Sequence, residues 1–493
     1  MYFPALLRLV GFSLEEAYKV HLGSINIATV FISFYAFRRM TRNDVSAMTG
    51  SILYTGGMRI TLMYGVVLGG VSGMTFYPLI IAGFYLLFTE NVESAEYKRI
   101  WILLTAGFTG ILMTHMISCL MFGVYSVLLC IIMIKKVLRR NTMLELLKAV
   151  GVAIPLNLWY LIPFLQYMTG ENLRINSTIA QNVHVEDYYA RLEDFTQEGR
   201  NLYNLFIDND TLGFALVAVI ILYVITIPVQ EEGTQTRRCR NFALLTLFTV
   251  VVCTDLFPAV AIARRSSIVF KFFMTIQYQY RLMSVAAAML SCFAALFLAS
   301  GVFRRRVLYW IAGALCFITL YQDLQYHETL AFDKIYLDGI ALESRTDRRL
   351  YSYTVGNGEY LPVTTKVADL TGELEYEGEL VIGQTVRDGL FFEVAVENKA
   401  SEEGKILFPL LYYGGYQARD SSSQEQLQTT IGDNGRVMVM IPPGYSGNIQ
   451  VGFNEPLLWR IAEGISLITL LGIIVSLLRP DMIRTIRKRA YSG

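Results

Sequence analysis

Arg59, His115 and Arg281 are ionisable side chains set in or beside otherwise apolar stretches, and in such surroundings a charge persists only where it is paired, wetted or put to use. Two arginines suit a phosphate or pyrophosphate, because the guanidinium fork donates two parallel charge-assisted bonds to neighbouring oxygens. His115 adds an acid, a base or a hydrogen-bond donor to such a site and is the candidate catalytic residue. The plainer alternative has the arginines lying along apolar surface with their heads in interfacial water, and the histidine satisfied by a buried polar contact. A second group, His184, Glu186 and Asp187 followed by Asp208 and Asp210, has the ligand chemistry that Mg²⁺ or Mn²⁺ requires, although a solvated acidic loop has the same composition. Asp255, just before Phe257-Pro258, suits a helix end better than a base. Asn176-Ser177-Thr178 has the form of a glycosylation sequon, which matters only in a secretory pathway. The chain carries no Walker loop, dinucleotide fingerprint or nucleophile elbow, so nucleotide-driven chemistry has no motif behind it.

The elements that must position these residues are read from hydropathy. A 493-residue chain that is 54% hydrophobic with a mean hydropathy of +0.43 is too apolar for a soluble globular protein, so a lipid bilayer is expected to solvate much of it. Eleven stretches are long enough to cross the hydrocarbon core as helices: 20 to 37, 46 to 63, 74 to 89, 99 to 115, 118 to 134, 147 to 166, 211 to 229, 241 to 262, 282 to 303, 306 to 322 and 460 to 478. The second and third are interrupted by Gly56, Gly57, Gly69, Gly70 and Gly73. Lys and Arg collect at every second connection: Arg38, Arg39 and Arg42; Lys98 and Arg99; Lys135, Lys136, Arg139 and Arg140; Arg237, Arg238 and Arg240; Arg304 to Arg306; and Arg484 to Arg489. Basic loops stay cytoplasmic, so the C-terminus is expected inside and the loops 167 to 210 and 263 to 281 outside. Arg59, His115 and Arg281, which played no part in that assignment, all fall at the outer face. The same parity puts the N-terminus outside without a signal peptide pattern, and the expectation is that a further helix precedes it.

The segment 323 to 455 carries 21 acidic and 10 basic side chains inside a chain whose net charge is +1. That asymmetry excludes nucleic acid as the expected partner. The six cysteines lie in apolar runs or basic loops and imply neither a disulfide framework nor a metal site. Phe392, Val394 and Val396 alternate with Glu393, Ala395 and Glu397, and Val437 to Ile441 and Ile449 to Phe453 read as further strands. Asp433-Asn434-Gly435 and Pro442-Pro443-Gly444 are turn signals between them. The expected fold is therefore a polytopic α-helical membrane domain, 1 to 322, an extracytoplasmic all-β sandwich-like domain, 323 to 455, and a final helix with a basic cytoplasmic tail, 456 to 493.

Local patterns spread over nearly the whole chain resemble those of YfhO-type and 6-pyruvoyl-tetrahydropterin synthase-related bacterial membrane proteins, of the GT-C class of glycosyltransferases. They are Tyr2-Phe3-Pro4 to Gly11 with Ala17-Tyr18-Lys19, Ser51 to Arg59, Thr114-His115 with Ser118, Leu256-Phe257-Pro258, and Ile276-Gln277-Tyr278-Gln279-Tyr280-Arg281, the most specific. Glu359 to Pro362, Tyr412 to Tyr416, Gly444 to Gly447 and Ile465 to Leu467 resemble the outer β-domain and its exit into the last helix. The resemblance implies a multi-pass protein of the bacterial plasma membrane that moves a sugar from a polyprenyl-phosphate carrier to a cell-wall or surface-polymer acceptor. It implies inversion, an acidic base and often a divalent metal, Mg or Mn, and it adds Gln277 to Arg59 and Arg281 as a carrier-binding residue.

Two features depart from the family. Its first helix and first outer loop, which hold the acidic catalytic residues, have no counterpart, and Val66 and Val71 stand where an Arg and a Glu are expected. They favour an alternative in which the chain is a noncatalytic GT-C-like remnant or accessory subunit that still binds the lipid. A transporter would predict inverted repeats and broken helices at the midplane, and no such internal symmetry is apparent.

Overall fold

The computed structural model describes residues 2–57, 72–170, 173, 213–254, 256–276, 282–344, 361–366 and 372–478. It is mostly helical with a β region near the C-terminus, and it divides into two compact units, Met1–Ile154 with Val185–Ile335 and Pro155–His184 with Tyr336–Gly493.

In the first unit the described helices are α1 (Tyr2–Leu9), α2 (Leu14–Thr41), α3 (Asp44–Gly57), α4 (Tyr77–Thr89), α5 (Ile100–Thr114), α6 (Met116–Ile132), α7 (Arg140–Leu156, whose last two residues pass into the second unit), α9 (Phe214–Thr226), α10 (Thr234–Val252), α11 (Ala259–Arg265), α12 (Ser267–Ile276), α13 (Leu282–Leu298) and α14 (Arg305–Ser344, which passes into the second unit after Ile335). Helix α13 forms the centre: every residue from Val285 to Leu298 is buried, as expected of a helix that is apolar all round. Its small residues let neighbours approach; a Cβ at Gly50 of α3 would lie 2.8 Å from Ala295 Cβ. Helices α4 and α5 pack antiparallel on glycines. A Cβ at Gly83 would meet Leu104 at 2.6 Å, at Gly107 Ile80 at 2.5 Å and at Gly110 Phe76 at 2.2 Å, and Gly73 packs on Thr114 and His115. Close backbone approach of this kind increases the dispersion contact between helices. Hydroxyl pairs tie further helices together, Ser33 with Ser51 at 2.7 Å and Thr29 with Thr75 at 2.8 Å.

Among the described residues, four helices are long and apolar enough to cross a membrane: Leu14–Thr41, Ser72–Thr89, Arg305–Leu324 and Leu457–Leu477; the broken pair Arg140–Leu156 and Leu158–Gly170 makes five if taken as one. Each of the eleven expected stretches falls at least partly on helix, but not each on a full-length one. Met116–Ile132 and Leu282–Leu298 have 17 residues, roughly 26 Å at 1.5 Å per residue, short of a hydrocarbon core of about 30 Å. The stretch 147 to 166 is two helices parted at Asn157, and 241 to 262 leaves helix after Val252. Helix α14 runs past residue 322 to Ser344, and the strands begin only at Glu375.

The second unit holds α8 (Leu158–Gly170), α15 (Leu457–Leu478) and a two-sheet β-sandwich. Its strands are β1 (Glu375–Glu377), β2 (Leu380–Asp388), β3 (Phe391–Asn398), β4 (Gly404–Leu411), β5 (Tyr416–Asp420), β6 (Gln426–Leu427), β7 (Thr429–Ile431), β8 (Arg436–Ile441) and β9 (Ser446–Phe453). One sheet runs β1-β4-β8-β7 and the other β2-β3-β9-β5-β6, all neighbours antiparallel. The period-2 pattern points Phe392, Val394 and Val396 inward against Ile406, Phe408, Val437, Val439, Ile449 and Val451, and Phe392 meets Phe408 edge-on across the sheets at 5.5 Å. The turn expected at Asp433-Asn434-Gly435 has φ of 56° at Asn434 and 74° at Gly435, where glycine is unstrained. Below the sandwich, Tyr413, Tyr167, Trp459, Phe453 and Tyr416 form a continuous file of ring contacts at 5.5 to 5.8 Å. The Tyr412 to Tyr416 segment thus seats the sandwich on α8 and α15.

Candidate functional site

His115 is the single residue between α5 and α6, extended at φ −153°, ψ 102°. It serves both helices. Its N–H closes the last turn of α5 on Ile111 O at 2.8 Å, and its carbonyl accepts the first bond of α6 from Cys119 N at 3.2 Å. Its ring caps α6: Nδ1 accepts from the Ser118 backbone N–H at 3.3 Å and lies 2.7 Å from Ser118 Oγ. A helix leaves its first N–H groups without partners inside the helix, and here an imidazole supplies what a Ser or Asp oxygen usually does.

Ser118 is buried and its hydroxyl lies 2.6 Å from the phenol oxygen of Tyr77, at the start of α4 and also buried. Ser284, near the start of α13, hydrogen-bonds the same phenol. Tyr54 of α3 donates to Met74 O at 2.6 Å. The half-buried His115 therefore sits at an end of the unit where α3, α4, α5, α6 and α13 are joined by short polar contacts.

The opposite end of α4 has the opposite character. Lys136 Nζ donates to Phe88 O at 2.7 Å and Arg238 Nη2 to Thr89 O at 2.6 Å, so two basic side chains cap the last carbonyls of one helix. In the following connection Glu90 and Glu96 pair with Arg42 at 2.9 and 3.3 Å, and Tyr97, beside Lys98 and Arg99, bonds Thr142 of α7 at 2.8 Å. Four of the six basic clusters singled out in the sequence are thereby drawn to one end, with His115 at the other.

Arg59, Gln277, Arg281, His184, Glu186 and Asp187 lie outside the described residues, as do Asp208, Asp210, Asp255 and the Asn176 sequon. Among the described residues no cluster of three or more His, Cys, Asp or Glu could hold a metal ion. Sequence reasoning placed His115 at a turn and grouped it with Thr114 and Ser118 by resemblance, without the hydrogen bond between them, and missed Tyr77. The signal for Ser118 was its spacing three residues after a potential cap; Tyr77 is distant in sequence and gave none.

In the sandwich, the Asp420 carboxylate accepts from Ser422 and Ser423, N–H and hydroxyl of each, at 2.7 to 3.0 Å and from the Tyr445 hydroxyl at 2.6 Å. The Ser423 N–H first, then the Tyr445 and Ser422 hydroxyls, hold this carboxyl well below the ordinary aspartate range. Burial, followed by the bond and charge of Asp420, pushes the Tyr445 phenol above its usual range. Every bond here fastens a loop, so the cluster reads as structural.

Compared with protein-family models, curated proteins and solved structures, the chain has no match.

Proposed function

We propose that the chain is a multi-pass protein of the bacterial plasma membrane with a GT-C-like helical domain, an extracytoplasmic sandwich and a cytoplasmic C-terminus, and that it transfers a sugar from a polyprenyl-phosphate carrier to a cell-wall or surface-polymer acceptor. The observation that carries this reading is the polarity of α4. Its C-terminal carbonyls are held by Lys136 and Arg238, and its N-terminal end adjoins His115 through Tyr77 and Ser118. Basic connections remain in the cytoplasm, so the His115 end faces outward, where a lipid-linked sugar presents its phosphate. Tyr54, five residues before Arg59, and Ser284, three after Arg281, make their contacts at that same end, which supports the assignment of both arginines and of Gln277 to the carrier phosphate. The eleven expected spans fit this topology if the bilayer thins locally around the shorter helices or they are shielded within the bundle.

In the transfer, an acceptor hydroxyl attacks the anomeric carbon, the bond from that carbon to the phosphate oxygen breaks, and the hydroxyl proton passes to a base. Arg59 and Arg281 hold the departing phosphate and stabilise the charge it gains. The test measures sugar transfer from lipid-linked donors by membranes containing the chain, with Arg281→Ala and His115→Ala as comparisons. Loss of transfer in both supports the reading, and unchanged transfer in Arg281→Ala sinks the assignment of that residue. Carrier binding without transfer by the unaltered chain favours an accessory subunit, the role to which Val66 and Val71 point.

A further inference from the structure

We propose that the outward face of the five-stranded sheet is a binding surface for an uncharged polysaccharide, with Phe391 as the platform for one sugar ring and Glu393, Gln450 and Arg419 as partners for ring hydroxyls. The sheet has two unlike faces. Phe392, Val394, Val396, Ala418, Ile449 and Val451 point into the core, so the positions between them, among them Phe391, Glu393, Arg419 and Gln450, point to the other side. Register then lines them up. Val386 stands opposite Glu393, Glu393 opposite Gln450, Gln450 opposite Arg419 and Arg419 opposite Gln426, so a single row of side chains crosses all five strands. At about 4.8 Å between strands the row is roughly 19 Å long, which suits a chain of sugars better than a single one.

Phe391 lies beside this row. Its ring fills the space that a Cβ at Gly452 would need, so it lies down across β9 instead of standing away from the sheet. An aromatic ring laid over a glycine of the neighbouring strand shields that backbone, yet Phe391 remains 59% exposed. One side of the ring covers the glycine and the other is open to solvent. The negative face of an aromatic ring attracts the polarised C–H groups of a pyranose, whose hydroxyls must then be met by neighbouring polar groups. The row supplies these. The Ser421 hydroxyl donates to Glu393 Oε1 at 3.2 Å, and Gln417 Oε1 accepts from Arg419 Nη2 at 2.9 Å and from Asn454 Nδ2 at 3.2 Å. Glu393 and Arg419 are therefore held in place before a ligand arrives, which lowers the ordering cost of binding, and Gln450 between them is exposed. A carboxylate, an amide and a guanidinium side by side present acceptors and donors in planar pairs, the complement of adjacent hydroxyls on a sugar ring. Other partners fit less well. A protein partner needs an apolar centre to its interface, and the centre of this row is Glu393, Gln450 and Arg419. A polyanion would meet the segment 323 to 455, with its 21 acidic and 10 basic side chains, so the polymer that fits is uncharged.

That this polymer is also the acceptor in sugar transfer rests on the function proposed above; the binding does not. The test runs the full chain in detergent on native gels with and without the uncharged polysaccharide fraction prepared from the envelopes of the cells that make it. Retardation by the polysaccharide is expected, and it should persist in high salt, which screens ionic contacts. Phe391→Ala should weaken binding about tenfold and Gln450→Ala about threefold, whereas Phe391→Trp should keep it. The thermal midpoint of Gln450→Ala, a change at an exposed side chain, should equal that of the unaltered chain, which separates lost binding from lost folding. Migration unaffected by the polysaccharide, retardation kept in full by either alanine variant, or retardation abolished by high salt overturns the proposal. With the same polymer as acceptor, both alanine variants should raise KM for transfer with kcat unchanged. Retardation without transfer rejects the proposed function and leaves this surface standing; transfer without retardation does the reverse.

Discussion

Ser466 of α15 occupies the gap in a hydrogen bond that the helix before it lacks: its hydroxyl donates to Pro155 O at 2.9 Å and accepts from Trp159 N–H at 3.1 Å. Residues 155 and 159 stand four apart, the spacing of a helical bond, yet the helix parts at Asn157 and a side chain from 311 positions away bridges the opening. Seven residues along, Trp459 Nε1 donates to Gln166 Oε1 at 2.8 Å. These two contacts set the antiparallel register of α8 and α15.

Replacing Ser466 by valine should therefore cost about 1 kcal/mol, since it removes the hydroxyl that bonds a part-buried N–H and a part-buried carbonyl. Ser466→Thr has the same shape as the valine variant and keeps the oxygen. The expected result is a thermal midpoint lowered by several degrees for Ser466→Val and near the unaltered value for Ser466→Thr. Equal midpoints for the two would mean that the hydroxyl bridge carries no stability.

Glycines in α5 and α6 should respond to alanine with opposite signs. An added Cβ at Gly107 meets Ile80 Cγ1 at 2.5 Å and its backbone nitrogen at 3.1 Å, and backbone cannot step aside, so overpacking of about 1–3 kcal/mol is expected. At Gly123 nothing lies within 4 Å, and Gly→Ala inside a helix gains up to about 1 kcal/mol. Thermal unfolding of the two variants in the same detergent reads the difference directly.

Asp420 gives the sandwich a defined response to acid. Its folded-state value is depressed, so its stabilising contribution is complete above the ordinary aspartate range near about 4 and is lost as the pH falls through the lower, folded value. Asp420→Asn should be less stable than the unaltered chain at pH 7, and the gap should close progressively below about pH 4. A gap that stays constant down to strongly acid pH would show that the loop does not depend on the carboxylate charge.

What could be read in the sequence was local. Alternation in Phe392, Val394 and Val396 and the turn at Asp433 to Gly435 depend on neighbours one or two positions apart, and both appear where expected. The corner at His115 was legible for the same reason, but its role as a cap was not, because imidazole is an uncommon N-cap. The parting of 147 to 166 was signalled by Pro155 and Pro163, which a hydropathy average conceals. Helix α14 outlasts its apolar stretch because helical backbone does not end where hydropathy falls. Glycines 83, 107 and 110 and the file of rings under the sandwich act on partners in other helices and strands, and nothing near them in sequence announces those partners.

The polarity of α4 leads to a test of sidedness. Glu232 adjoins the basic cluster at Arg237 to Arg240 and is 85% exposed, and Ser401 is exposed in the sandwich; both tolerate cysteine without disturbing buried structure. In intact cells a membrane-impermeant maleimide should label Ser401→Cys, and it should label Glu232→Cys only after permeabilisation. Methionine in place of Lys136 or Arg238 should cost about 1–3 kcal/mol through the uncapped carbonyls while leaving the labelling pattern unchanged, because many other basic residues remain at that end and would still set the proposed orientation. Labelling of Glu232→Cys in intact cells would invert the assignment, put His115 on the cytoplasmic side, and remove the basis for transfer to an external acceptor.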